Sequence, residues 1–372
     1  MNFRRVLLTA AKQYASIGGQ AVIEGVMMRS PNAFVVAVRT PDGKIRLRRD
    51  QWYGLAKRFA ILRKPILRGV LMLVETMANG IVSLNYSANV SMDAELKEKA
   101  LKKGKTAEQY EAEKKKSEKV DWATFLTMAA SMAFGIGLFV FLPHALTAWL
   151  GDVLGQDWGL DSFAFHAVDG VIKAAIFVLY IWIIGFMPDI RRVFQYHGAE
   201  HKSISTFEAQ QPLTVENARK FTTIHPRCGT SFLFFLIVVS IILFSAVFTL
   251  VPVGQGLPTI LRHLAAVLFK VALMLPVAGI SYEIIKLAGK CSTAWWARAI
   301  GAPGMLLQRL TTREPDDQQL EVALVSIRAA LQLEDAHDLK AADKRVFTLE
   351  EIDIAGLADI QDAQGRLKDF LE

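Results

Sequence analysis

Four long apolar stretches constrain this chain more than anything else in it. A helix needs about 18 to 20 apolar residues to cross ~30 Å of hydrocarbon. Residues 122–150, 166–187, 229–252 and 259–282 all reach that length. Their centres read "FLTMAASMAFGIGLFVFL", "VIKAAIFVLYIWIIGFM", "SFLFFLIVVSIILFSAVF" and "LAAVLFKVALMLPVAGIS". Composition agrees: 52% of the residues are hydrophobic and the mean hydropathy is +0.28, too apolar for an ordinary water-soluble domain. The expected fold is an α-helical polytopic membrane protein with about four transmembrane helices. Residues 1–17 do not read as a signal peptide, because Lys12 and Gln13 break a short apolar run.

The loops set an orientation. The segment before the first span carries "KEKALKKGK" and "EAEKKKSEK", and the loop 188–228 carries Arg191, Arg192, Lys202, Arg219, Lys220 and Arg227. The loop 151–165 has Asp152, Asp157 and Asp161 but no Lys or Arg. Basic loops stay in the cytoplasm, so both termini and the 188–228 loop are expected there. Charge is also split along the chain. Residues 1–121 hold 23 Lys and Arg against 12 Asp and Glu, a balance of +11, whereas residues 311–372 hold 7 against 15, or −8. The basic front half suits anionic lipid; nucleic acid is the sharper alternative, expected at most indirectly through a ribosome. The two cysteines, Cys228 and Cys291, fall on the cytoplasmic side, where thiols stay reduced and a thiolate ligand at Cys228 is allowed.

Between and beyond the spans the sequence divides further. Residues 1–52 form a small cytoplasmic β element, in which "AFVVAVRT" and "KIRLRR" flank the turn "PDG". Residues 53–92 are apolar but interrupted by Arg63, Lys64, Arg68, Glu75 and Asn79, which predicts interfacial or re-entrant helices rather than a fifth span. Residues 93–121 are a charged linker or solvated helix. Spans one and two occupy 122–187, a motif loop 188–228, and spans three and four 229–282. Residues 283–333 hold an interfacial segment with Trp295 and Trp296, then an amphipathic cytoplasmic helix with Leu320, Ala323, Leu324, Ile327 and Leu331 at helical spacing. Residues 334–372 are an acidic tail.

The chemistry concentrates in "FQYHGAEHKSISTFE", residues 194–208. On a helix, His197 and His201 share a face with Glu200 beside them. This is the H-x-x-E-H spacing of inverted zinc peptidases, in which two imidazoles hold Zn²⁺ and the glutamate activates water. Gly198 inside such a helix costs up to about 1 kcal/mol, so its surroundings must support it. A second cluster, "IHPRCGTSF", puts His225 and Cys228 on a turn at the mouth of the third span and resembles half a zinc site. His197, His201, His225 and Cys228 together make a closed, structural tetrahedral site; three of them leave an open, catalytic one. Histidines at a membrane interface also simply bond headgroups or backbone. Three carboxylates are further candidates: Glu283, Glu75 and Glu24. Carboxylates at membrane depth are costly and usually paired or functional, and the plainer expectation pairs Glu75 and Glu283 with Arg68 and Lys286.

At "GGQAVIEGVMMR", "YHGAEHK", "TVEN", "HPRCGTSF", "GISYE" and "LTTREPDD" the chain resembles the YqhQ-like bacterial membrane proteins, over roughly residues 17–333. That family is of unknown function and is labelled a predicted metal-dependent enzyme. The resemblance implies a multi-pass protein of the bacterial inner membrane with its site at His197–His201 and His225–Gly229. Genes of the family neighbour those for a ribosomal protein and a peptide-chain release factor, which implies a protein partner in membrane-protein biogenesis.

Two readings follow. In one, Zn²⁺ or a similar divalent metal serves a membrane hydrolase or peptidase, with Glu200 as general base. In the other, a structural metal pins a non-enzymatic scaffold whose basic face docks lipid or a ribosome-linked partner, alone or as an oligomer. The number of protein ligands discriminates them.

Overall fold

The computed structural model describes residues 17–52, 59–102, 122–156, 158–160, 162–226, 228–251, 253–290, 294–341 and 350–360. The expectations for residues 1–16, for most of the charged segment 93–121 and for Cys291 lie outside the described residues.

Strands β1 (Gly18–Val22), β2 (Gly25–Arg29), β3 (Ala33–Arg39) and β4 (Ile45–Gln51) form an antiparallel meander. The β3–β4 connection turns at Pro41-Asp42-Gly43, where Gly43 takes φ +85°, a conformation that glycine adopts without a Cβ clash. The helices follow: α1 (Leu67–Lys102), α2 (Trp122–Ile136), α3 (Leu142–Val153, joined to α2 through a π-turn), α4 (Phe163–Ile184), α5 (Pro188–Glu208), α6 (Val215–Arg219), α7 (Thr230–Leu250), α8 (Thr259–Lys290), α9 (Trp295–Thr311) and α10 (Asp317–Ala341). A last strand, β5 (Glu350–Ile354), pairs antiparallel with β4.

The sheet is a sandwich filling. Alternate β3 residues point to opposite faces. Val35 and Ala37 join Val26, Met28, Ile45 and Leu47 in a core shared with α5 and α10. Phe34, Val36 and Val38 pack with Val22, Met27 and Val90 of α1. Both faces are covered, so β3 reads as an unbroken buried run rather than an alternating one. The five residues expected on one face of an amphipathic helix, Leu320, Ala323, Leu324, Ile327 and Leu331, are all buried on α10. Val322, Val325, Ala329 and Ala330 are buried too, which makes α10 a core helix. Each large aliphatic side chain there contributes roughly 1.5–3 kcal/mol relative to exposure.

Among the described residues, five segments are long and apolar enough to cross a membrane: Leu67–Asp93, Ala129–Val153, Phe163–Ile184, Phe232–Leu250 and Thr259–Leu287. The last four correspond to the expected spans; Leu67–Asp93 is a fifth by length and composition, where interfacial or re-entrant helices are expected. Outward residues of α4, among them Val171, Leu179, Trp182 and Ile183, are exposed apolar groups, a surface made for hydrocarbon rather than water.

The β4–β5 pairing constrains the count. A sheet with open edges does not sit in hydrocarbon, and this one contains both an early and a late segment of the chain. Any membrane crossings between Gln51 and Glu350 are therefore even in number. The helix that stands apart is α1. It starts against the far end of α8, where Arg68 Nε lies 2.6 Å from Glu283 Oε1. It then runs along the sheet, where Ser87 Oγ accepts from the Ile23 N–H at 3.2 Å. Its buried stripe is polar, Glu75, Asn79, Ser83 and Ser87 at four-residue spacing.

Candidate metal site

Residues 188–208, expected as part of a loop, form helix α5. Pro188 sits at its first positions, where a missing N–H costs nothing. The four-residue spacing does put His197 and His201 on one face. That face is wedged between β1, α10 and the chain after α9, and residues 198–204 of α5 are all buried except for small openings. Gly198 is what permits the wedge. A Cβ there would stand 2.2 Å from the Arg313 carbonyl oxygen. The same close approach lets the Arg313 N–H donate to the Phe194 carbonyl at 2.9 Å.

Both imidazoles are oriented by backbone. His197 Nδ1 lies 2.9 Å from the Thr311 carbonyl oxygen and His201 Nδ1 lies 2.6 Å from that of Thr223. A carbonyl can only accept, so this bonding assigns the proton to Nδ1 in both rings and leaves each Nε2 with a free lone pair. Such an outer partner fixes the ring of a metal-ligating histidine. Cys228 completes the group: its Sγ is 3.3 Å from His197 Nε2, and the ligand atoms of His197, His201 and Cys228 all lie within 4.8 Å of one another.

The donor set fits a borderline metal. Zn–N and Zn–S bonds of about 2.0–2.1 and 2.3 Å in tetrahedral geometry would separate N and S by about 3.6 Å, close to what His197 and Cys228 show. His201 Nε2 is buried with no hydrogen-bond partner, a cost of about 1–3 kcal/mol that a bound cation would remove.

His225 does not join the three. Its ring lies beside that of His201, with centroids 5.7 Å apart, but its Nε2 faces Glu208 Oε2 at 3.3 Å. Burial lowers its pKa and keeps the imidazole neutral. Its backbone is clamped by Gln308, which accepts from the His225 N–H at 2.8 Å and donates to its carbonyl at 2.9 Å. This clamp holds the turn that presents Cys228.

Glu200 stands over the group without being part of it. Its Oε2 is 3.9 Å from His197 Nε2 and 3.7 Å from His201 Nε2, too far for hydrogen bonds. Burial raises its pKa, and the Gly19 N–H, which donates to it, acts in the opposite direction. Gly19 must be glycine-sized: a Cβ there would meet Glu200 Cγ at 2.7 Å. All four side chains line a cavity of about 440 Å³. Its walls also include Phe177, Ile181 and Leu233 from the apolar helices and Gln20 and Thr76 from the sheet side.

The three further carboxylates are elsewhere, each on an arginine. Glu24 pairs with Arg192 and accepts from the Tyr196 hydroxyl at 3.3 Å. Glu75 pairs with Arg29 at 3.0 Å rather than with Arg68, and Glu283 with Arg68 rather than with Lys286. None of the three lines the cavity. Thr223, Gln308 and Thr311 are supports that sequence reasoning misses. Thr311 falls inside the motif "LTTREPDD", but its contribution is a backbone carbonyl and leaves no side-chain signature.

Comparison with known proteins agrees with the motifs. The model of a family described as "Protein of unknown function (DUF1385)" matches residues 64–333. The chain is 35% identical to "Uncharacterized protein YqhQ" of Bacillus subtilis (strain 168) over 318 residues, covering 85% of this chain and 92% of that protein. No solved structure matches. The chain belongs to the DUF1385 family of YqhQ-like proteins.

Proposed function

We propose that this protein is a multi-pass membrane hydrolase, acting on an amide or related acyl bond at the membrane surface. A divalent metal, Zn²⁺ by donor type, would be held by His197 Nε2, His201 Nε2 and Cys228 Sγ. The observation that carries this reading is the count of converging ligands among the described residues: three, with both histidine tautomers set by backbone carbonyls. Three protein ligands leave an open position, the mark of catalytic rather than structural zinc. When bound, zinc supplies a Lewis acid that makes water reactive near neutral pH. Glu200 accepts the proton at Oε2 and returns it to the leaving group. The cavity wall, largely apolar around the site residues, with Leu84, Phe177, Ile181 and Leu233 beside Gln20 and Thr76, suits a substrate that is itself partly in the bilayer.

Four crossings, by α2–α3, α4, α7 and α8, satisfy the even count with α1 at the interface. The basic loops then put the sheet, the site and both termini in the cytoplasm of a bacterial inner membrane. In the competing reading, a structural metal in a scaffold that serves lipid or a biogenesis partner, His225 would have to leave Glu208 to become a fourth ligand.

The test is Glu200→Gln, made in the full-length protein and read by metal content and by complementation of a deletion strain. The hydrolase reading expects metal and fold retained but complementation lost, because losing a general base costs about 10²–10⁴ in rate. Full complementation by Glu200→Gln, with none by His197→Ala, would sink the hydrolase and leave the scaffold.

A further inference from the structure

A second set of ionisable side chains lies inside the apolar helices, far along the chain from the metal ligands. His263 on α8 faces His144 on α3, with Nδ1 to Nε2 at 2.8 Å. His144 Nδ1 is 3.1 Å from the ammonium of Lys270, also on α8. Lys270 Nζ is 2.9 Å from Asp169 Oδ2 on α4, and Lys173 Nζ is 3.5 Å from the same oxygen. His144, Asp169 and Lys270 are at most 2% exposed. His166 stands beside them with Nε2 on the Leu160 carbonyl at 2.9 Å, and Asp152 and Arg262 are the charged groups near His263. Ionisable groups at such depth are costly to keep there unless they are used.

The bonds run in one direction. An ammonium only donates, so Lys270 donates to His144 Nδ1. That assigns the proton of neutral His144 to Nε2, which donates to His263 Nδ1 and leaves the His263 proton on Nε2. His263, unlike His144, Lys270 and Asp169, is only partly buried. About 10 Å of helix separates it from Lys270, and it lies at the end of α8 opposite Glu283. On the other side, Lys173 and Lys270, with Ser240, form the polar edge of an otherwise apolar cavity of about 270 Å³, where water would have to lie against them. Asp169 Oδ1, beside the two lysines, is buried with no hydrogen-bond partner. Phe177 and Leu233 border both this cavity and the 440 Å³ cavity in front of the metal ligands.

We infer that the chain His263–His144–Lys270–Asp169 is a proton path, joined through the cavity at Lys173 to the opposite face of the membrane domain. In one transfer Lys270 gives a proton to His144 Nδ1, His144 passes its Nε2 proton to His263 Nδ1, and His263 releases its Nε2 proton to water. The Lys270 amine is then reprotonated from cavity water with Asp169 holding the charge, and rotation of the two rings restores the starting tautomers. Protons are conserved, and no redox partner is needed. The inference does not depend on a metal at His197 and stands or falls separately from the hydrolase reading.

The test uses the full-length protein in liposomes enclosing a pH-sensitive dye, with a potassium gradient and an ionophore to set the potential. Wild type is expected to pass protons faster than protein-free vesicles. His144→Phe and the paired Asp169→Asn/Lys270→Met variant, which removes both buried charges together, are expected to fall to the protein-free rate. If His144→Phe does not fold, His144→Gln serves, because a carboxamide can bond both neighbours but cannot hand a proton through. Wild-type vesicles no faster than protein-free ones would overturn the inference, and so would a folded His144 or paired variant that conducts like wild type.

Discussion

Gly198→Ala tests the architecture of the site through its tightest contact. An alanine in the middle of an exposed helix normally gains about 1 kcal/mol over glycine. Here the new methyl would stand 2.2 Å from the Arg313 carbonyl oxygen. A relaxed C···O contact is about 3.3 Å, so α5 and the chain at Arg313 must separate by roughly 1 Å. Overpacking of this kind costs about 1–3 kcal/mol, which cancels or exceeds the propensity gain. The displaced segment also includes Thr311, whose carbonyl sets the His197 ring. Loosening such a partner lowers metal affinity about 10- to 100-fold. A matched control is Gly301→Ala on α9, where a Cβ meets nothing within 4 Å; it should be neutral or mildly stabilising. The assay is thermal unfolding in detergent together with Zn²⁺ affinity by competition with a chelating dye. If Gly198→Ala melts with Gly301→Ala and binds zinc as wild type does, the wedge between α5 and Arg313 does not position His197.

Three further outcomes are expected. Cys228→Ser should lose zinc retention on dialysis, whereas His225→Ala should weaken it by no more than the roughly 10- to 100-fold of an outer partner; equal losses would mean four ligands. The hydrogen bond from Arg46 holds the Asp353 carboxyl below its ordinary value of 3.8. A depressed carboxylate contributes stability above its unfolded pKa and loses it as pH falls through the folded one. Hydrogen exchange in β5 should therefore separate Asp353→Asn from wild type at pH 7, by under about 1 kcal/mol for so exposed a pair, and the difference should shrink as pH falls through the lowered carboxyl pKa; a difference that does not shrink in acid refutes the assignment. Cysteine labelling should reach Gln156→Cys from outside intact cells and Gln210→Cys only after permeabilisation, and external labelling of position 210 would reverse the topology.

Which parts of this molecule were legible depends on how local the physics is. The β3–β4 hairpin follows from Pro41-Asp42-Gly43, and the four apolar spans from their length. The α10 face follows from the spacing of Leu320 to Leu331. Strand β5 was not legible, because "EEIDI" alone is an acidic tail. It becomes a strand by lying opposite Arg46, Arg48 and Arg49, where Asp353, Glu351 and Glu350 sit in register. Part of the basic charge expected to face lipid is used in that pairing. The helical spacing of His197 and His201 was legible, but the full length of α5 was not, because its buried side mixes Phe194, Tyr196, Ile204 and Phe207 with Glu200, His201, Lys202 and Ser203. The Arg29–Glu75, Arg68–Glu283 and Arg192–Glu24 pairs join residues 46 or more positions apart. Helical spacing could suggest only nearer partners. At the candidate site, spacing brought out His197, Glu200 and His201, but it could not separate Cys228, which converges on them, from His225 three residues away, which does not.

The place of β5 and α10 in the sheet unit has a consequence for synthesis. Roughly 300 residues separate β4 from β5, and every apolar helix is made in between. At about 5–20 residues per second, the meander waits some 15–60 s for its partners. During that interval β4 has an open edge, and Val35, Ala37 and Leu47 lack the cover of α10. An uncovered apolar sheet with a free edge is the kind of surface that pairs wrongly with other chains. The sheet unit therefore cannot complete itself ahead of the apolar helices made between its strands. Strand β5, made after them, closes the edge that β4 leaves open.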